Sequence, residues 1–141
     1  MRDLMNNVHP IRALSPVSGA ATDAAQVGQI IDRQGFESLT FVIATGTITD
    51  ADATFAVLVE HGDQATLSDA AAVADEELIG TEVLAGFNFG DDDETRKIGY
   101  KGTKRYVRLT ITPTNNLAAW LIAAVAVLGH PTQAPTKNPP V

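Results

Sequence analysis

Three histidines and two acidic clusters are the residues whose chemistry could matter here. His9, His61 and His130 are the side chains able to bind a metal or carry a proton near neutral pH in a chain without cysteine. They lie far apart, each beside a turn, and none belongs to an HExxH or similar ligand spacing, so turn histidines are the expectation. Asp50-Ala51-Asp52 and Asp91-Asp92-Asp93-Glu94 could offer oxygen ligands to calcium or the paired carboxylates of a glycosidase. Catalytic carboxylates need a set separation across a cleft, whereas neighbours at a loop tip present solvated charge. The GxSxG serine elbow and the glycine loops of phosphate and dinucleotide sites are absent from the sequence. No catalytic residue, metal or cofactor is assigned, and the chain reads as a non-enzyme.

Carbohydrate binding would need an exposed aromatic platform. Trp120 lies inside the most apolar run, LAAWLIAAVAVL (Leu117 to Leu128), where burial is expected. Tyr100 and Tyr106 remain as the plausible exposed rings. The same run is about eight residues short of a membrane span of ~20, so it reads as buried strand. No apolar signal-peptide core is visible near the start, and the expectation is a soluble protein with no membrane partner.

A formal net charge of -7 argues against nucleic acid as a direct partner, which would require a basic stripe. The basic residues gather only between Arg96 and Arg108, directly after the acidic run, and the adjacency predicts charge complementarity within the chain or with a partner. With no cysteine, disulfides and thiolate sites are excluded. The length of 141 residues suits one domain with one core.

The elements that must position these residues are strands. Phe36 to Asp63 reads as two strands facing each other across a polar loop, a central hairpin. Leu39, Phe41 and Ile43 share one side of the first, and Phe55, Val57 and Val59 share one side of the second. Val8 to Val17 carries two prolines and is confined to an edge. Ala25 to Ile31 reads as a strand, with a turn at Asp32 to Gly35 and Gly35 at positive φ. Ser68 to Leu78, rich in alanine, predicts the one short helix, capped by Ser68 or Asp69. Val83, Ala85, Phe87 and Phe89 then alternate as a strand, and the acidic run forms a hairpin tip before Thr95 to Tyr100. Arg105 to Thr112 follows, with Val107, Leu109 and Ile111 facing the core. Ala118 to Leu128 closes the sheet.

These elements indicate an all-β antiparallel sandwich occupying residues 8-130. A jelly roll is preferred, because it packs one chain of this size into two sheets with few open edges. An immunoglobulin-like sandwich is the alternative. Residues 1-7 read as an N-terminal arm and the Pro-rich 131-141 as an extended C-terminal arm reaching ~3.1 Å per residue.

The segments IIDRQGFESLTFVIATG (Ile30 to Gly46), KRYVRLTITP (Lys104 to Pro113) and VLGHP (Val127 to Pro131) resemble the cement, or decoration, proteins of tailed-bacteriophage heads. The likeness runs from about Val8 to the end of the domain and consists of strand and turn patterns. It implies a jelly-roll protein, with no catalytic residues, that forms dimers on the outside of an icosahedral shell. There it would clamp neighbouring capsomers of an HK97-like major capsid protein, in near one-to-one number, against internal DNA pressure. The implied location is the outer surface of the virion, after assembly in the host cytoplasm.

On this reading the arms are the candidate capsid contacts: Met1, Arg2, Val8, His9 and Pro10 at one end, Pro131, Pro135, Pro139 and Pro140 at the other. Tyr106, Arg108 and Thr110, on the outward side of one strand, are the candidate dimer contact. A neck or tail component of the particle and a carbohydrate-binding β-sandwich module are the competing functions.

Overall fold

The computed structural model describes residues 2–19 and 21–140. Two antiparallel sheets face each other across a continuous apolar core. The first, sheet A, contains β1 (Val8–Gly19), β4 (Phe36–Ile48), β7 (Leu78–Ile79), β9 (Thr95–Tyr100) and β11 (Trp120–Pro131), in the order β1-β11-β4-β9-β7. The second, sheet B, is built on β5 (Thr54–Gly62) and β10 (Tyr106–Thr114). The short strands β2 (Gln26–Val27) and β3 (Ile31–Asp32) flank β10, and β6 (Ala71–Ala72) and β8 (Phe87–Asn88) flank β5.

The pairing is nested. β1 pairs with β11, β2 and β3 with β10, β4 with β9, and β5 with β6. A long antiparallel hairpin folded over on itself produces this order, with successive limbs alternating between sheets. That is the jelly roll the sequence led us to prefer.

Period-two alternation explains why these residues form these strands. Leu39, Phe41 and Ile43 of β4 are buried against Phe55, Val57 and Val59 of β5, with Val107, Leu109 and Ile111 of β10 beside them. At one end Phe55 stacks on Phe87 at 4.8 Å between ring centroids, and Trp120 leans on Phe55 at 4.6 Å. Gly35 adopts φ +87, as its turn requires.

Four expectations are corrected. β4 and β5 are not a hairpin, because they lie in different sheets and meet through side chains. Two strands with strongly apolar faces gain more by burying those faces on each other than by sharing a ladder.

Ser68 to Leu78 is not a helix. It forms β6, a 3₁₀ turn at Asp75–Glu77 and then β7. Its buried side chains in that stretch, Val73 and Leu78, stand five residues apart, which no single helix face accommodates. Three acids would also sit at the unfavourable C-terminal end of the helix. Asp69 instead closes the preceding turn, accepting from Asp63 N at 2.7 Å and Gln64 N at 3.1 Å.

The expected strand over Val83 to Phe89 opens as one helical turn, α1 (Glu82–Ala85), because Thr81 caps it by accepting from Leu84 N at 3.1 Å. Ala85 and Phe87 are buried as read, but Val83 and Phe89 are exposed.

Finally, Ala25 to Ile31 splits into β2 and β3 around Gly28, where a Cβ would lie 2.5 Å from the carbonyl oxygen of Leu109. The backbone there passes too close to β10 for any side chain.

Candidate interaction surface

Side chains of β11 are apolar on both faces. Trp120, Ile122, Ala124, Ala126 and Leu128 point into the core. Leu121, Ala123, Val125 and Val127 point the other way, with Leu121 46% and Val125 40% exposed. A sheet with one wet face ordinarily alternates apolar with polar residues, and continuous apolar strands belong to sheets covered on both sides. Here the outer face is open.

The neighbouring strands extend it. Val125 lies in register with Val42, and Ala123 with Ala44. On the other flank Pro10 pairs with Val127. Leu121, Ala123, Ala44, Gly46 and Pro16 surround a shallow hollow at one end of the face. Leu4, Val8, Thr40, Val127 and Pro131 surround another at the far end. An apolar strip therefore runs the length of β11, from Leu121 to the first turn of the chain. Small residues along it allow close approach by another surface. One row across the sheet reads Arg12, Val125, Val42, Lys97, so cations border the strip on both sides.

The two chain ends meet at the far end of this strip. A 3₁₀ turn at Met5–Asn7 precedes β1, and Thr136 hydrogen-bonds to it, donating from N to Asn6 O at 3.0 Å. The Thr136 hydroxyl donates to Val8 O at 2.7 Å, and Thr132 N donates to Gly35 O at 2.9 Å. The C-terminal segment is thus clasped onto its own domain as far as Thr136, rather than extended away from it. The unpaired carbonyls at the edge of β1 and its leading turn supply the acceptors.

The candidate capsid contacts divide accordingly. Val8 and Pro10 lie on the outward side of β1, while His9 turns inward and stacks on Phe36 at 5.4 Å. Pro131 ends β11 and Pro135 lies over the hollow floored by His9 and Phe36. Arg2, Pro139 and Pro140 are exposed. Met1 lies outside the described residues. Of the residues expected on two separate arms, Val8, His9, Pro131 and Pro135 are brought to one corner of the molecule.

The candidate dimer contact fares differently. Arg108 is held by Glu60 of β5 at 2.8 Å, and Tyr106 is half-buried with the Arg105 guanidinium 5.0 Å from its ring centre. Thr110 is only 7% exposed, enclosed beside Leu58 and Val27 in register, so it is not available to a neighbour. On the outer face of sheet B Arg108 and Glu60 satisfy each other, while the Thr110 hydroxyl is buried without a hydrogen-bond partner among the described residues and Val27 is exposed.

Tyr100, expected to be exposed, is buried; its ring bridges the sheets. Trp120 is buried as read. Arg96 pairs with Asp91 and with Glu94 at 2.7 Å, but Lys104, Arg105 and Arg108 pair with Asp63, Asp32 and Glu60, so the acidic run complements the basic one at Arg96 and the others find acids elsewhere in the chain. Asp50 spends its carboxylate on backbone N–H groups of Asp52 and Leu117. Among the described residues no three His, Cys, Asp or Glu side chains gather to hold a metal ion, and no helix is long and apolar enough to cross a membrane.

No family model and no curated protein matches the sequence. Among solved structures, the chain is similar to the CBM22-1–GH10 modules of Clostridium thermocellum N-terminal endo-1,4-beta-D-xylanase 10B, complexed with xylohexaose. The match has 12% identity and a TM-score of 0.42, and covers 95% of this chain. The chain spans 28% of that protein's length.

The outer face of sheet A is the site that sequence reasoning missed. The signal was present: LAAWLIAAVAVL is apolar at both parities, and only one parity can face the core of a two-layer sandwich.

Proposed function

We propose that this protein is a structural binding protein of a tailed-phage head, a cement protein that lays the outer face of sheet A and the clasped chain ends on the exterior of the shell. The observation that carries this reading is the open apolar strip along β11. Burying such a strip is favourable by ~25 cal/mol per Å² of apolar area, a gain available only on contact with another macromolecule. The jelly roll and the likeness of Ile30 to Gly46, Lys104 to Pro113 and Val127 to Pro131 to phage cement proteins support the same assignment.

A flat face and a clasped corner suit a clamp. The face grips one neighbour and the corner reaches the next, and many such contacts repeated over a shell act together even when each is weak. Cations at Arg12 and Lys97 favour a shell surface with carboxylates beside its apolar patch.

Quantitative mass spectrometry of purified particles tests the assignment. About one copy per major shell subunit is expected from a cement protein. A few copies per particle would place it in the neck or tail, where ring symmetry sets the number. Absence from particles would overturn the reading.

A further inference from the structure

The geometry of sheet A restricts what can cover its outer face. The two strands under the apolar strip, β11 and β4, each have a neighbour on both sides, so their backbone N–H and C=O groups are engaged in the ladder. The face therefore offers side chains only. Whatever lies on it must satisfy its own backbone, because an orphaned amide pressed against apolar groups is costly. A single extended segment fails that condition. An α-helix meets it alone, through its internal hydrogen bonds.

Two cations set the width. Arg12 on β1 and Lys97 on β9 share one row with Val125 and Val42. They stand three strand spacings apart, about 14 Å. A helix with its side chains is roughly 10–12 Å across, so one helix fits between them and a pair does not. A second sheet laid over the face would run past both cations and bury them, at a desolvation cost.

Neither cation is spent within the chain. Arg12 donates Nε to the neutral Gln29 side chain at 2.8 Å, and among the described residues neither it nor Lys97 joins an ion pair. No Asp or Glu occurs among the residues paired across sheet A.

The floor between the cations is low, with Ala44 beside Ala123 and Val42 beside Val125. A Cβ at Gly46 would stand 2.9 Å from Leu121 Cβ, so the glycine leaves room for Leu121 to lie against β4. From Leu121 to Gly129 the strip is about 27 Å long at the rise of a strand. That length matches ~18 residues of helix.

We propose that the partner element seated on sheet A is an amphipathic α-helix lying along β11. Its apolar stripe would cover Leu121, Val125 and Val42, and carboxylates on the two borders of that stripe would meet Arg12 and Lys97. The inference rests on the docking face proposed above and names the element of the partner that the face takes.

The test is a titration of the ¹⁵N-labelled full chain with a capped peptide of ~18 residues, held helical by a hydrocarbon staple on its far side. Leu and Ala form one stripe of this helix and Glu occupies both borders. Its counterparts are the same helix with Lys for Glu, and an unstapled peptide in which apolar residues alternate with Glu. The expected result is saturable shifts over residues 40–46 and 121–129 and at Arg12 and Lys97, from the Glu helix alone. Binding should weaken as salt rises from about 0.05 to about 0.5 M. Arg12→Gln and Lys97→Gln should each weaken it about threefold, and Val125→Glu at least tenfold.

Absence of shifts, shifts elsewhere, or equal binding of either counterpart would overturn the inference. So would concentration-dependent shifts of the same residues without peptide, which would give the face to a second copy. Co-sedimentation of Val125→Glu with phage heads separates the two failures. Lost head binding without helix binding removes the helix and keeps the docking face; unchanged head binding removes both.

Discussion

The hydroxyl of Tyr100 lies 2.9 Å from Nδ1 of His61, and this contact ties the two sheets together. Tyr100 ends β9 in sheet A, and His61 lies on β5 in sheet B. The same hydroxyl accepts Lys104 N–H at 3.0 Å, and the other ring nitrogen of His61, Nε2, faces Glu77 Oε2 at 3.9 Å. Gly102 leaves room for the phenol: a Cβ there would stand 2.5 Å from its oxygen. Arg33 reaches over the ring, 5.2 Å from its centre, and donates to Gly102 O.

Tyr100→Phe should therefore cost more than a lost surface hydroxyl. It leaves His61 Nδ1 and Lys104 N–H without this partner, a loss of about 1–3 kcal/mol. Urea unfolding at neutral pH should show a lower midpoint with an unchanged slope. Burial raises the Tyr100 pKa above the ordinary tyrosine value. The folded state therefore holds this proton more tightly than the unfolded chain does. The resulting stability is fully present below about pH 10 and is lost as pH rises through the folded value. The variant should lack that part of the alkaline loss; identical alkaline profiles would contradict the arrangement.

At the other end of the pH scale Asp32 is the informative group. Its carboxylate takes Nε and Nη2 of Arg105 at 2.8 and 2.7 Å, and this pairing lowers its pKa below the ordinary aspartate value. Stability from the pair is present above about pH 4 and fades as pH falls through the lowered value. Both side chains are 44% exposed, so solvent screens the pair and Asp32→Asn should cost under about 1 kcal/mol. Carboxyl ¹³C titration of Asp32 checks the direction, and Arg105→Gln should return it towards the ordinary value.

Legibility in the sequence followed period and failed with context. Phe41, Val57, Leu109 and Ile111 could be placed from alternation alone, because a half-buried strand has no other way to sort its side chains. The partner of each strand could not. β4 and β5 look like a hairpin because they are consecutive, yet only the whole chain decides that their faces pack and their edges pair elsewhere. Ser68 to Leu78 misled through alanine content: propensity favours a helix, but Val73 and Leu78 need burial on two different strands. The outer face of β11 was visible in both parities of its run and was assigned wholly to the core. Nothing in the sequence told that Thr136 would meet Asn6 and Val8, since the partners are far apart along the chain.

That clasp can be opened without touching the core. Thr136→Val removes the hydroxyl donated to Val8 O and keeps the side-chain volume, at a local cost of about 1 kcal/mol. Faster amide exchange at Thr136 and quicker proteolysis of the tail are expected, with the global unfolding midpoint nearly unchanged. Deleting Thr132 to Val141 should likewise leave a folded domain that binds phage heads poorly. A midpoint that drops by many degrees on deletion would mean that the tail belongs to the core fold.

The apolar strip gives the sharpest test of the proposed function. Val125 sits at its centre, flanked by Arg12 on β1 and Val42 on β4. Val125→Glu places a charge that water or Arg12 can satisfy in the free protein, so stability should change by about 1 kcal/mol or less. On a docked surface the same carboxylate would be buried against apolar groups, where desolvation is costly. Co-sedimentation with heads lacking the protein should then fall at least tenfold in affinity, a loss of about 1.4 kcal/mol. Arg108→Ala on sheet B, where Glu60 already satisfies the guanidinium, should leave head binding unchanged. The opposite pattern, with Val125→Glu silent and Arg108→Ala disruptive, would move the docking face from sheet A to sheet B.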